Sequence, residues 1–214
     1  VYHGMAVQLN KRFAHHFQFL GSYTWSSALD DITNPVAANV NPGLGDGQLL
    51  SDSFDARQNR GPAINDRRHR FVLSGIWELN YANRFPAFAR AILGGWEFSG
   101  ILTAESGLVY SGLLNFDLNN DGNPATDRAP GVGRNSFRMP ASVTLDPRLT
   151  RNVHFTERAR LQFVWEGFNV FNRANISGVR TTHFSRSTSA AVCGIAGTPC
   201  LVPQNTGPTA FGTP

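Results

Sequence analysis

Lysine is nearly missing from this chain: Lys11 is the only one among 19 lysines and arginines. Charged residues of both signs make up just 16%, below the roughly 25% of an average soluble domain. The net charge of +4 is spread along the chain, and only Arg67-Arg68-His69-Arg70 concentrates it. That dispersal argues against nucleic acid as a partner, which would call for a basic patch or stripe. Long apolar runs are missing as well. No stretch approaches the roughly 18 apolar residues of a membrane-spanning helix, and the clean ones resemble Phe71-Val72-Leu73. The N-terminus shows no initiator Met, basic n-region or apolar h-region, and Val1 to Leu9 already reads as a strand. The chain is therefore expected to follow a removed signal or to begin mid-protein.

Catalytic patterns are equally scarce. His3, His15, His16, His69, His154 and His183 form no HExxH or HxH pattern, and no G-x-S-x-G elbow occurs. His15 and His16 read as a solvated tight turn. Gly43-Leu44-Gly45-Asp46-Gly47 precedes no helical segment, so it makes a poor phosphate cradle. Glu97 and Glu105 share a strand face, but at about 3.3 Å per residue they stand far beyond the roughly 5–9.5 Å of a glycosidase pair. The expectation is a protein with no catalytic residues, not an enzyme. The two cysteines, Cys193 and Cys200, lie in C-G-I-A-G-T-P-C, which fits neither a CxxC redox pair nor a four-ligand zinc site. A disulfide-closed loop in an oxidising compartment is favoured over two free thiols.

The positive signal is alternation with a period of two, over six segments: Tyr2 to Asn10, Phe17 to Ser27, Arg68 to Tyr81, Gly95 to Ser106, Ala141 to Val153 and Ala159 to Asn172. In the third, Phe71, Leu73, Gly75, Trp77, Leu79 and Tyr81 oppose Arg68, Arg70, Ser74, Glu78 and Asn80. Successive side chains of a strand point to opposite faces, so each segment predicts one oily and one polar face. A soluble sandwich would give the same pattern. The connections separate the two cases. Lys11 to His16 and His154 to Arg158 are short, Ala82 to Gly94 is intermediate, and Asp30 to Asp66, Gly107 to Pro140 and Arg173 to Pro214 are long. Short turns alternating with long loops mark outer-membrane barrels, with turns on the periplasmic side and loops outside, whereas a compact soluble domain rarely carries three unstructured loops of this size.

Aromatic placement agrees. Tyr23, Trp25 and Phe71 fall near loop ends, and Phe17, Tyr81 and Trp96 at turn ends, as two interfacial girdles would require. Glu78, Glu97, Asp146, Arg148 and Glu166 sit mid-strand on the polar faces, where a wet lumen or a plug suits them and lipid does not. The fold expectation is all-β: an antiparallel meander of about six transmembrane strands. Residues 1–175 hold the barrel strands, with extracellular loops at 30–66 and 107–140, and 176–214 form the last extracellular loop with the final strand missing. Six strands leave two open edges in hydrocarbon, so further strands must close the wall.

Several stretches carry a family resemblance. Asp66-Arg67-Arg68-His69-Arg70-Phe71-Val72-Leu73-Ser74, Gly94-Gly95-Trp96-Glu97-Phe98-Ser99-Gly100-Ile101, Glu105-Ser106-Gly107, Asp117-Leu118-Asn119-Asn120-Asp121-Gly122 with Asp127-Arg128, and Glu166-Gly167-Phe168-Asn169-Val170-Phe171-Asn172-Arg173-Ala174-Asn175 resemble the C-terminal barrel of TonB-dependent receptors. The resemblance is to the Oar-like group, which carries an N-terminal carboxypeptidase-regulatory-like domain. The F-N-x-F-N ending of the penultimate strand is its most specific part. The resemblance implies a 22-stranded barrel closed by a plug, with this chain supplying the six strands before the last. It also implies energised uptake of a bulky ligand across the outer membrane of a Gram-negative-type bacterium. The implied partners are outer-membrane lipid and lipopolysaccharide, the plug domain and remaining strands, and TonB reached through an N-terminal part. The alternatives are a soluble secreted β-sandwich with a binding or adhesive role and a passive porin-like barrel.

Two local features stay open. Asp117, Asn119, Asp121 and Asn123, with Gly122 for the turn and Asp127 beyond, resemble the start of a calcium loop, which makes Ca2+ a candidate cofactor. The acidic residue such loops carry at position twelve is Arg128 here, and a solvated Asn/Asp/Gly turn accounts for the same letters. The cluster Asp66 to Arg70 falls at the expected outer rim, where Arg forks suit lipopolysaccharide phosphates and equally suit ion pairs within the barrel.

Overall fold

The computed structural model describes residues 1–31, 56–79, 84–86, 88–90, 94–114, 116–118, 120, 127–156, 159–195, 197–205 and 210–214. Alternation drives the first hairpin, β1 (Tyr2–Ala14) and β2 (Phe17–Asp30), with Tyr2 opposite Ala28 and Lys11 opposite Phe19. The two residues between them, His15 and His16, both have positive φ, 54° and 68°. That is the backbone of a tight hairpin turn whose twist matches the strands it joins. The strand thus continues through most of the expected Lys11 to His16 link.

β3 (Gly61–Pro62) pairs with the end of β2. The main sheet then continues through β4 (His69–Leu79), β5 (Trp96–Glu105), β9 (Ser142–Thr156) and β10 (Ala159–Glu166). Its order is β1-β2-β4-β5-β9-β10, every neighbour antiparallel. This is the expected meander. It is not closed, and β1 and β10 are its outer members.

One expected boundary is wrong. The sixth strand stops at Glu166, so Phe168-Asn169-Val170-Phe171-Asn172 lies beyond it. Asn169 and Asn172 take positive φ, 46° and 48°, a conformation asparagine tolerates better than most residues. The Asp146 carboxylate accepts the Asn169 N–H at 2.7 Å, and the Asn172 N–H closes a turn on the Asn169 carbonyl at 2.7 Å. The motif is a turn held by the neighbouring strand.

The loops depart further from expectation. Far from structureless, the stretch 107–140 contains β6 (Val109–Tyr110), β7 (Leu113–Leu114) and β8 (Phe137–Arg138), with β6 on β8. The stretch 176–214 contains β11 (Thr182–Ser187), a helical turn α1 (Ala190–Cys193) and β12 (Cys200–Pro203). β11 runs parallel to β7 and antiparallel to β12, so the two stretches form one cap. Of the expected loop at 30–66, residues 32–55 lie outside the described residues.

That cap holds the core. Ile64, Tyr110, Met139 and Val179 are buried together, with Leu108, Phe137, Ile176 and Phe211 packed against them. The buried hydrophobic residues among those described fall at 63–64, 109–114, 129, 139, 179 and 210, and none lies in the six long strands. Gly107 marks the closest approach: a Cβ there would run into the Met139 carbonyl, so no larger residue fits.

Candidate functional site

Register fixes what each face of the sheet presents. On one face Phe17, Trp77, Phe98, Leu149 and Trp165 form a row. Leu9, Gly21, Leu73, Leu102 and Leu145 form a second, and Val7, Tyr23, Phe71, Ala104 and Val143 a third. These side chains are uncovered: Trp77 is 55% exposed and Trp165 77%. An apolar surface of this extent is not left to water. Gly75 and Gly100 sit side by side in the row between the first two, opening a shallow groove of about 800 Å³ lined by Phe17, Phe19, Trp77, Phe98 and Leu102.

The edges of this face are amphipathic. Toward the loops, Tyr23 Oη and His69 Nδ1 are hydrogen-bonded at 2.8 Å, with Trp25 paired to His69. Toward the turns, two cations unseen in the sequence pattern stand on the apolar side. Lys11 Nζ lies 3.5 Å above the Phe17 ring and donates to the carbonyls of Ala14 at 2.7 Å and Phe17 at 3.0 Å. The Arg151 guanidinium lies 5.3 Å from the Trp96 ring. Long basic side chains that lay their stems on apolar surface and lift their charge to its edge behave this way. Alternation continued past Asn10 and through Arg151 would have shown both. Tyr81 lies outside the described residues.

The opposite face carries the charged residues. Gln18, Ile76, Ser99, Arg148 and Glu166 make one row, and Asn10, Leu20, Ser74, Ile101 and Asp146 the next. Arg148 pairs with Glu166 at 3.2 Å. Glu78 stands directly opposite Glu97 and meets His16 Nδ1 at 3.4 Å. This face is not polar throughout. Leu20, Ile76 and Ile101 are diagonal neighbours on it, and with Phe168 they floor a hollow of about 600 Å³ rimmed by Asn10, Asp146 and Arg148. Each of the three breaks its strand's alternation at one position, which a pattern count averages away.

At the loop end of the polar face lies a network of guanidinium groups. Arg67 Nη1 meets Glu105 Oε1 at 2.7 Å and also donates to the Ser106 carbonyl at 3.2 Å. Arg70 Nε reaches the other oxygen of Glu105 at 3.6 Å. Asp66 is buried and bound by Arg138 at 2.6 Å. Arg134, 3% exposed, pairs with Asp30 and donates to the Asn59 carbonyl at 2.7 Å. Burial lowers its pKa from the usual arginine value, yet that value is so high that it stays charged. Arg67, Arg70, Arg134 and Arg138 thus sort into ion pairs within the fold, and Asp66 and Gly107 of the family-like stretches are the joints between strand and cap.

Of the calcium candidates, Asp117 and Asp127 are described, while Asn119, Asp121 and Asn123 lie outside the described residues. Asp127 Oδ2 accepts the Leu118 N–H at 2.8 Å. Among the described residues no three His, Cys, Asp or Glu side chains come together as a metal-ligand group. Cys193 and Cys200 are joined by a disulfide with Cα atoms 5.5 Å apart, closing the β11–β12 hairpin. Glu97 and Glu105 lie at opposite ends of β5.

An antiparallel sheet with one uncovered apolar face, one charged face, the tight His15–His16 turn at one end and a folded cap at the other has the build of a membrane-spanning barrel wall. No helix among the described residues is long and apolar enough to cross a membrane, and in such a protein the strands cross. The chain matches the outer membrane beta barrel domain family over residues 1–131 and 131–199, and it belongs to that family. Its place is accordingly the outer membrane of a Gram-negative bacterium. No curated protein and no solved structure matches the chain.

Proposed function

We propose that this chain is part of the barrel of a TonB-dependent, Oar-like receptor that takes up a bulky ligand across the outer membrane. The observation that carries the reading is the mixed polar face. A wide, water-filled pore has no use for Leu20, Ile76 and Ile101 on its wall, whereas a barrel filled by a folded plug packs against such a patch. The motif stretches from Asp66 to Asn175 support the same family. In this reading the barrel has 22 strands, and β1 and β10 continue into strands supplied by the rest of the protein. The cap faces the outside and contributes ligand contacts, because loops on a rigid scaffold usually carry recognition. Lipid and lipopolysaccharide surround the apolar face, and TonB engages a part outside this chain. The chain binds its ligand and walls its passage, and does not catalyse.

Conductance of the intact protein in a planar bilayer tests this. A plugged receptor stays closed, and its purified form retains the C-terminal domain of TonB on a column. A large, steady conductance with no TonB retention would replace the proposal with a passive porin-like barrel.

A further inference from the structure

We propose that the groove on the apolar face, with Lys11 and His15 at its mouth, holds one phospholipid with an anionic headgroup, drawn from the periplasmic leaflet of the outer membrane. The site requires only that this face meets lipid, and it stands whether the barrel is a plugged receptor or an open pore.

The groove follows from the register. Gly75 lies beside Gly100, so two adjacent positions of one row carry no side chain. Phe17, Trp77 and Phe98 border it on the turn side, and Leu73, Leu102 and Leu145 on the loop side. His15 also lines it, so the groove opens past Phe17 to the turn. The stretch from His15 to Gly21, which pairs with Leu73, extends about 20 Å at roughly 3.3 Å per residue. A strand tilt of about 45° converts that into about 14 Å of depth, close to half of the roughly 30 Å hydrocarbon core. The groove therefore spans one leaflet, the reach of one acyl chain, and turns of such barrels lie on the periplasmic side. A protein partner crossing the membrane would follow the face through both leaflets, whereas the groove ends at the leucine row.

Charge selects the headgroup. Lys11 pairs with Phe19 in the same row as Gly75, and its Nζ lies 3.5 Å above the Phe17 ring. The carbonyls of Ala14 and Phe17 take two of its N–H groups, at 2.7 and 3.0 Å, and an ammonium has three. No carboxylate pairs with it among the described residues. The acids Glu78, Glu97, Glu105, Asp146 and Glu166 stand in rows of the opposite face. Arg151, over the Trp96 ring, places a second cation at the same edge. A phosphate oxygen suits the third N–H of Lys11 and an imidazole N–H of His15. The ammonium of a zwitterionic headgroup would meet only like charge there. Lipopolysaccharide occupies the other leaflet, toward the cap, where Tyr23 and His69 are hydrogen-bonded.

The test is native mass spectrometry of the intact protein released from detergent, with phosphatidylglycerol, phosphatidylethanolamine and lipid A offered as probes, the two phospholipids carrying identical chains. One phosphatidylglycerol should be retained about fivefold more strongly than phosphatidylethanolamine, the scale of one basic residue at a membrane surface. Lys11→Gln should bring the two level. Leu73→Trp, which fills the groove and stays apolar, should lower retention of both. Val7→Trp, in the row of Tyr23 and Phe71 on the same face but outside the groove, should match the unaltered protein. Heat-modifiable gel mobility shows that each variant forms its barrel. Equal retention of the two phospholipids by the unaltered protein overturns the site, as does a preference that survives Lys11→Gln or retention that ignores Leu73→Trp. Lipid A displacing phosphatidylglycerol would overturn the leaflet, and a lipid-free dimer that Leu73→Trp splits would give the groove to a second copy. A closed receptor that retains TonB but shows no lipid preference removes the site alone and leaves the transport reading in place.

Discussion

Arg138 holds Asp66 at two points: Nη2 donates to Oδ2 at 2.6 Å, and Nη1 donates to the backbone carbonyl at 3.0 Å. The same guanidinium donates to the Gly107 carbonyl at 2.9 Å, while Asp66 Oδ1 accepts the Ala28 N–H at 2.8 Å. One buried carboxylate thus ties the end of β2, the approach to β4 and the cap into a single joint. Removing one partner of a buried pair typically costs about 3–5 kcal/mol, because the other charge is stranded. Asp66→Ala should lose stability on that scale in urea unfolding of the intact barrel, with faster proteolysis of the cap. A change under about 0.5 kcal/mol, the size expected of an ordinary surface substitution, would show that the joint bears no strain-free load of this kind.

The two faces make opposite predictions for one substitution. Leu102 lies in the middle of the apolar rows and Ser99, three residues before it, in the polar rows. Arginine on the lipid side near the membrane midplane costs about 2–4 kcal/mol, while lumen positions tolerate it. Leu102→Arg should therefore destabilise the barrel in lipid vesicles by that amount, followed by tryptophan fluorescence in urea. Ser99→Arg should stay close to the unaltered protein. The reverse order would turn the sheet inside out.

What was legible follows from what is periodic. The six strands appear in the sequence because residues such as Phe71, Leu73 and Trp77 repeat every second position, and that period sets both pairing and face. The His15–His16 turn was legible as a turn, although its positive φ values were not. The cap was illegible for a physical reason. Its core joins Ile64, Tyr110, Met139, Val179 and Phe211 from distant segments, each contributing one or two apolar residues with no period to betray them. The rim arginines were visible as a cluster, but a cluster does not say which members are paired. Only the fold shows Glu105 shared by Arg67 and Arg70 with Arg68 left over.

The disulfide closes a short loop, Cys193 to Cys200, seven residues apart. In the chain-entropy picture a closure of this length contributes about 2–3 kcal/mol, felt locally by the hairpin. Reduction, or Cys193→Ser with Cys200→Ser, should raise protease cleavage and amide exchange between β11 and β12 while leaving β1 to β5 protected. Uniform loosening of the whole barrel would mean that the hairpin is integral to the wall and not an appendage of the cap.

His183 should make the cap sensitive to acid. Its ring stacks on Phe211 at 4.3 Å, tilts against Phe184 at 4.5 Å and meets the edge of Phe137 at 5.6 Å, and its Nδ1 is buried without a partner. Burial among these rings lowers its pKa from the ordinary 6.5. Tyr110 belongs to the same ring cluster through Phe137 and Phe211, and burial raises its pKa, so it stays neutral throughout the acid range. A histidine whose folded pKa is depressed binds its proton more readily once unfolded. Its stabilising contribution is complete above the unfolded value of about 6.5 and declines as pH falls below it toward the folded value. Amide exchange across β11 should therefore quicken on acidification from neutral pH through that window. His183→Phe, which keeps the ring and removes the titration, should flatten the response. If the acid sensitivity survives in His183→Phe, the proton is taken up elsewhere and the ring cluster is only a core.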